Sequence, residues 1–144
     1  MTTTLVPQFT AATSRFAGWK SEYGVPVRTT VGAARGFRYP HENIPQLAPF
    51  TVFRNRQYTT VPQMIAAYTA RLDGLRDEII TSCNALARQY HGERLVFLCF
   101  DDVQKPGEYC HRTWCAAWFR ERFDMVLPEL TDPVKPCCQQ SSLW

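Results

Sequence analysis

The stretch from Arg94 to Arg112, RLVFLCFDDVQKPGEYCHR, decides the fold of this chain. Residues 95–100 form an unbroken apolar run with the length and composition of a buried strand. A polar loop with two adjacent carboxylates follows, and a helical pattern opens at Cys110-His111-Arg112. In open α/β sheets, ligands bind between the carboxyl end of a strand and the start of the next helix. The stretch therefore predicts both an α/β unit and a ligand site.

Working outward from this stretch, apolar patterns with strand and helix spacing alternate along the chain. The predicted strands cover residues 5–12, 25–31, 94–100 and 125–130, and the predicted helices cover 15–22, 60–91 with a joint at 74, and 110–123. This alternation predicts an α/β fold, a small Rossmann-like three-layer domain with a mostly parallel sheet and helices on both faces. We expect one domain over residues 1–130 and a flexible C-terminal tail over 131–144.

Composition bounds the class of protein. The 144 residues are 45% hydrophobic and 13% aromatic, enough for one core without disulfide staples. No apolar run approaches the ~20 residues that cross a bilayer, and the first residues lack a secretory pattern, so we expect a cytoplasmic protein without membrane contact. The six cysteines form no C-x-x-C pair, so reduced or buried thiols are predicted, with no metal and no cofactor.

Positive charge is concentrated in the first half of the chain, although the net charge is only +3. Arginine suits bidentate contacts to phosphate. The predicted phosphate-binding residues are Arg15, Arg28, Arg35, Arg38 and Arg112. The alternative is an ordinary solvated basic surface. Two interpretations of the aromatic residues in segment 32–60 are equally weighted. They stack on nucleobases, or they pack against the edge of the sheet.

Three residues of the opening stretch carry the chemistry that we predict for the site. Asp101 is a candidate proton acceptor or nucleophile toward a sugar, and His111 is its candidate partner. Cys110 stands at a helix start, which binds anions and also favours a thiolate, so it is either part of an anion site or a nucleophile. The structural alternative pairs a carboxylate of Asp101 or Asp102 with Arg28 or Arg112.

The run LVFLCFDD followed by PGEYCHR resembles the hallmark of the family catalogued as domain of unknown function 488. The resemblance covers roughly residues 5–130, although Val25-Pro26 stands where that family commonly has an acid before its valine-arginine pair. It implies a small Rossmann-like domain and no particular activity. The positions that it carries over are Arg28, Cys99, Asp101, Cys110, His111 and Arg112.

The tail offers a second resemblance. Residues 140–144, QSSLW, are similar to the peptide by which bacterial proteins bind the sliding clamp. The resemblance implies that Gln140 would hydrogen-bond at one pocket, and that Leu143 and Trp144 would bury in an apolar cleft. The alternative is a tail without a partner.

These features lead to three hypotheses of function. The first is a protein acting on nucleic acid or nucleotides, as a DNA-metabolism enzyme of glycosidase, transferase or hydrolase type. The second is a non-catalytic protein that sequesters a nucleotide. The third is a cysteine-dependent enzyme, for which the chain lacks a glycine-rich phosphate cradle.

Overall fold

The computed structural model describes residues 5–32, 36–49, 60–100 and 111–131 of the chain. The strands are β1 (Ala11–Arg15), β2 (Val25–Arg28), β3 (Glu42–Asn43) and β4 (Leu95–Cys99), and the helices are α1 (Val61–Gly74), α2 (Arg76–Gln89) and α3 (His111–Phe123). Three single turns of 3-10 helix lie at Phe16–Gly18, Ser21–Tyr23 and Pro45–Leu47. None of the helices in the described part is long and apolar enough to span a bilayer.

The strands form one sheet in the order β1-β4-β2-β3, and every pairing between them is parallel. The predicted α/β class with a mostly parallel sheet is therefore confirmed. Strand β4 lies between β1 and β2, and all five of its side chains are buried. A central parallel strand is covered on both faces, which explains why its sequence is an unbroken apolar run instead of an alternating one.

The two faces of the sheet are covered in different ways. The three helices pack with Leu95 and Phe97 of β4 in one large core. Val96 and Leu98 point to the other face and pack with Phe16, Trp19 and Phe37. In the described part of the chain, this second face is covered by 3-10 turns and aromatic side chains, so the third layer is not built from long helices.

The long helical pattern divides at Gly74 as the sequence predicts. Thr60 caps α1, because its hydroxyl accepts a hydrogen bond from the backbone N–H of Gln63, and the Gln63 side chain accepts one from the backbone N–H of Thr60. Leu75 separates α1 from α2, and Tyr68, Leu72 and Ile79 are fully buried. The apolar rows of both helices therefore belong to the core.

Four predicted elements differ from the structure. The second strand ends at Arg28 and not at residue 31. The first strand begins at Ala11 and not at residue 5, because its partner β4 offers only five residues for pairing. The predicted helix over 15–22 is two 3-10 turns, since a segment this short with a glycine inside cannot sustain an α-helix. The predicted strand over 125–130 is a single parallel bridge from Thr13 to Glu129, next to Pro128, which has no N–H to donate.

Candidate functional site

The carboxyl ends of the parallel strands meet at one edge of the sheet, which we call the carboxyl edge. Phe16 follows β1, Thr29 follows β2 and Phe100 follows β4. Arg15 and Cys99 are register partners in the last pair of the β1–β4 ladder. The site is predicted to lie at this edge.

His111 opens α3 and is buried at the carboxyl edge. Its Nε2 lies 2.8 Å from the carbonyl oxygen of Thr29 and 3.1 Å from the Thr29 hydroxyl oxygen. The carbonyl can only accept, so Nε2 carries a proton. The pKa of His111 is lowered to about 4, chiefly by burial; the hydrogen bond to Thr29 opposes this shift, and the charge of Arg112 adds to it. The imidazole is therefore neutral near pH 7, and its Nε2–H is engaged in the hydrogen bond to the Thr29 carbonyl.

Arg112 is almost fully buried, with 1% of its side chain exposed, and it is paired with a carboxylate. Its Nε lies 3.0 Å from Oε1 of Glu129, and its Nη2 lies 2.9 Å from Oε2. Its Nη1 donates to Sγ of Cys99 at 2.8 Å. The phosphate contact predicted for Arg112 is inconsistent with this burial and pairing. The residue instead ties α3 to the chain beside β1, where Thr13 also donates to Glu129.

Arg28 stands at the end of β2, where its register partner is Leu98 of the face without helices. Its Nε donates to the carbonyl of Thr30 at 3.3 Å, and its Nη2 donates to that of Val31 at 3.1 Å. Arg28 and His111 therefore both bind the segment of residues 29–31. Arg28 stays partly exposed, and the phosphate contact predicted for it remains a prediction.

The other predicted site residues divide into two groups. Arg15 and Arg38 are exposed. The remaining ones, Arg35, Asp101, Cys110, Gln140, Leu143 and Trp144, lie outside the described residues, so their predicted roles remain predictions.

A cluster of aromatic rings, which we call the aromatic cluster, starts at the carboxyl edge and extends over the sheet face to which Val96 and Leu98 point. Its members are Phe16, Trp19, Phe37, Tyr39 and Phe100. The ring centroid of Phe16 lies 5.1 Å from those of both Phe37 and Phe100. The centroid of Tyr39 lies 5.0 Å from that of Trp19 and 5.4 Å from that of Phe37. These rings form a continuous series of contacts.

The two ends of the aromatic cluster face solvent. Phe16 is 8% exposed, whereas Phe100 is 52% exposed and Tyr39 is 58% exposed. The indole N–H of Trp19 donates to the carbonyl of Gly24 at 3.2 Å, which fixes the ring beneath Tyr39. The sequence indicated Phe37 and Tyr39 as candidates for base stacking. It did not predict that their rings form one cluster with those of Phe16, Trp19 and Phe100. The available signal was the aromatic residue directly after β1 and directly after β4.

The cysteines of the described part do not form a nucleophilic site. Cys83 and Cys115 are free and buried, and burial raises the pKa of the Cys115 thiol to about 12 and that of Cys83 also well above its usual value. Cys99 is buried, as the expectation of reduced or buried thiols allows, and it is disulfide-bonded. Among the described residues, no group of three or more His, Cys, Asp or Glu side chains could hold a metal ion.

A groove of about 600 Å³ lies away from the predicted site, at the end of α3 and the start of α2. Its walls mix signs of charge, because Glu121 and Asp124 stand there with Arg76 and Arg122. Both Nε and Nη2 of Arg122 bind the Asp73 carboxylate, and Arg76 lies over the ring of Phe123. The groove therefore offers neither a uniform charge nor an exposed ring for stacking.

No protein-family model matches this chain, and neither a curated protein nor a solved structure matches it. The resemblance to the family catalogued as domain of unknown function 488 remains a prediction.

Proposed function

We propose that this protein binds nucleic acid or nucleotides on the aromatic cluster, with arginine side chains holding phosphate. The observation that carries the proposal is a connected series of rings whose ends, Phe100 and Tyr39, are each more than half exposed. Arg38 adjoins Tyr39 and is exposed, and Arg28 and Arg15 stand at the ends of β2 and β1.

Exposed aromatic rings are costly in water, and a ligand with flat apolar faces removes that cost. Every nucleobase has such a face, and a base stacked on an aromatic side chain contributes about 1–3 kcal/mol. Sheets that present aromatic side chains on an open face bind two or three bases in this way. In the described part of this chain the rings lie outside the strands, on segments that cover Val96 and Leu98 of the central strand, and they too present aromatic faces to solvent.

The charge around the aromatic cluster favours a polyanion. In the described residues from 15 to 42, the basic side chains Arg15, Lys20, Arg28 and Arg38 outnumber the acidic side chains Glu22 and Glu42. Glu42 accepts a hydrogen bond from the hydroxyl of Tyr90. An excess of positive charge beside stacking surfaces supports binding to a phosphate backbone over binding to a neutral apolar partner.

The proposal covers binding, and catalysis remains a sequence-based prediction. Asp101 and Cys110 lie outside the described residues, while His111 is buried, neutral and bound to Thr29. Asp101→Asn tests the enzymatic hypothesis directly. If the wild-type protein converts nucleotide or DNA substrates and this variant does not, the result supports the DNA-metabolism hypothesis with Asp101 as its catalytic residue.

The binding proposal is tested by titrating a fluorescent single-stranded oligonucleotide with the protein at several salt concentrations. We expect log K to fall with log salt, and Arg38→Ala to reduce the steepness of that fall by about 0.7, the value for one phosphate contact on a single strand. Arg88→Ala is the matched control, since Arg88 is exposed near the end of α2. Absence of binding to any oligonucleotide or nucleotide would overturn the proposal.

A contact between the tail and a bacterial sliding clamp is a separate proposal that the resemblance of residues 140–144 supports. It concerns residues outside the described part and does not depend on the aromatic cluster.

A further inference from the structure

The two exposed rings of the aromatic cluster lie at its two ends. Phe100 directly follows β4 at the carboxyl edge. Tyr39 contacts Trp19, whose indole is bound to Gly24, the residue before β2 begins. Three ring contacts join them, Phe100 to Phe16 at 5.1 Å, Phe16 to Phe37 at 5.1 Å and Phe37 to Tyr39 at 5.4 Å, so the two exposed centroids lie at most about 16 Å apart.

The rings between these ends are held in place. Phe16 is buried and contacts both Phe37 and Phe100 at 5.1 Å. Near Tyr39, the Nδ1 of His41 lies 2.9 Å from the Tyr39 carbonyl oxygen, and the ring of His41 packs against Phe37. A ligand consequently meets two separate, preorganised stacking surfaces and not one.

We infer that the site takes single-stranded nucleic acid, with one base stacked on Phe100 and a second, non-adjacent base stacked on Tyr39. This inference rests on the proposed function and narrows it to a substrate class. Stacked bases rise about 3.4 Å per nucleotide, so the distance between the two rings spans at most about five nucleotides. Site sizes of about four nucleotides and above are typical of such grooves.

Two competing ligands fit these surfaces less well. A duplex keeps its base faces stacked internally and is read by an element that enters a groove, usually a helix or a β-ribbon. At the carboxyl edge, α3 begins with the buried residues His111 and Arg112, so it does not present a free recognition helix. A mononucleotide has only one base and can use only one of the two rings.

The inference is tested with a series of fluorescent oligothymidylates of one, two, four and eight nucleotides and with a duplex of eight base pairs. We expect affinity to rise steeply up to about four nucleotides and then to level off, with the duplex at least about tenfold weaker than the eight-nucleotide strand. Phe100→Ala and Tyr39→Ala should each weaken the eight-nucleotide complex about tenfold or more. Val126→Ala, which trims a side chain that is 63% exposed elsewhere, should leave it unchanged.

Each contrary result has a distinct meaning. Equal affinity for the mononucleotide and the eight-nucleotide strand, or for the duplex and the single strand, would overturn this inference and leave the proposed function standing. Tight binding that both ring variants retain would overturn the inference and, with it, the proposal that nucleic acid binds on the aromatic cluster. No binding to any member of the series would overturn the proposed function together with the inference. Circular dichroism of each variant, compared with the wild-type spectrum, separates lost contacts from lost folding.

Discussion

His111 couples the stability of the fold to pH. Its pKa is lowered to about 4 in the folded state, mainly by burial, whereas an unfolded chain has the ordinary value of about 6.5. Between these pH values the unfolded state binds more protons than the folded state. The contribution of the neutral His111 imidazole to the free energy of unfolding is therefore full above pH 6.5 and is lost as the pH falls toward 4. We expect a loss of about 3 kcal/mol over that window.

Urea unfolding of the wild type and of His111→Gln between pH 8 and pH 4 measures this coupling. The variant should lose that part of the pH dependence, and His91→Gln, which removes an exposed histidine, should keep it. Parallel stability curves for the wild type and His111→Gln would contradict a buried neutral imidazole. They would also reopen the role of His111 as a titrating group of the site.

Among the described residues, Glu129 supplies a negative charge to the buried guanidinium of Arg112. Glu129→Gln leaves a guanidinium with 1% exposure next to a neutral amide, and removing one partner of a buried pair costs about 3–5 kcal/mol. Since 23% of the Glu129 side chain is exposed, we expect Glu129→Gln to lower the free energy of unfolding by a smaller amount, about 2–3 kcal/mol. Urea denaturation measures this loss. Glu121→Gln, in an exposed pair with Arg122, should cost less than about 1 kcal/mol. Equal costs would show that Arg112 does not depend on Glu129.

At the scale of elements, the turn into β2 depends on a glycine. Gly24 has a φ of +133°, and a Cβ there would lie 2.2 Å from the carbonyl oxygen of Arg94. That oxygen accepts a hydrogen bond from Val25 at 2.8 Å, so it cannot move away without opening the start of the β2–β4 ladder. We expect Gly24→Ala to lower the free energy of unfolding by about 2–4 kcal/mol.

Gly92→Ala provides the matched control for this prediction. Gly92 has a φ of +84° but no atom within 4 Å of an added Cβ, so the substitution carries backbone strain without a clash. We expect a cost of about 1–2 kcal/mol. Chemical denaturation of both variants decides the question, and a smaller cost at Gly24 than at Gly92 would contradict the close approach to Arg94.

The sequence predicts the elements that have a strong local signal. The apolar run of β4 and the capped start and jointed middle of the two long helices are examples, because burial on both faces and helix capping leave direct marks in sequence. The beginning of β1 has no such mark. It depends on how many residues β4 offers as partners, which is a property of the assembled sheet.

The site was predictable to a smaller degree for the same reason. Its location follows from strand order, but the partner of Arg112 does not, since Glu129 lies seventeen positions away on a segment that meets β1 through one bridge. The predicted pairing of an arginine with Asp101 or Asp102 remains a prediction, because both aspartates lie outside the described residues. Likewise, the aromatic cluster joins residues from three separate segments, and only folding brings Phe16 and Phe100 to a 5.1 Å contact.

At the scale of the whole molecule, the tail and the aromatic cluster are expected to act independently. A peptide of residues 131–144 should bind a bacterial sliding clamp, measured by calorimetry, and Trp144→Ala in the peptide should abolish binding because it removes the largest apolar contact. The same substitution in the full chain should leave oligonucleotide affinity unchanged. An unchanged peptide affinity after Trp144→Ala would contradict the clamp proposal alone.

The central claim is that the aromatic cluster is the surface on which nucleic acid binds. Ultraviolet crosslinking of the protein to an oligothymidylate, followed by peptide mapping, tests it most directly. The account predicts adducts on the peptides that contain Tyr39 and Phe100, and their loss when unlabelled oligonucleotide competes. Adducts confined to other surfaces, such as the groove between Phe9 and Phe123, would contradict it.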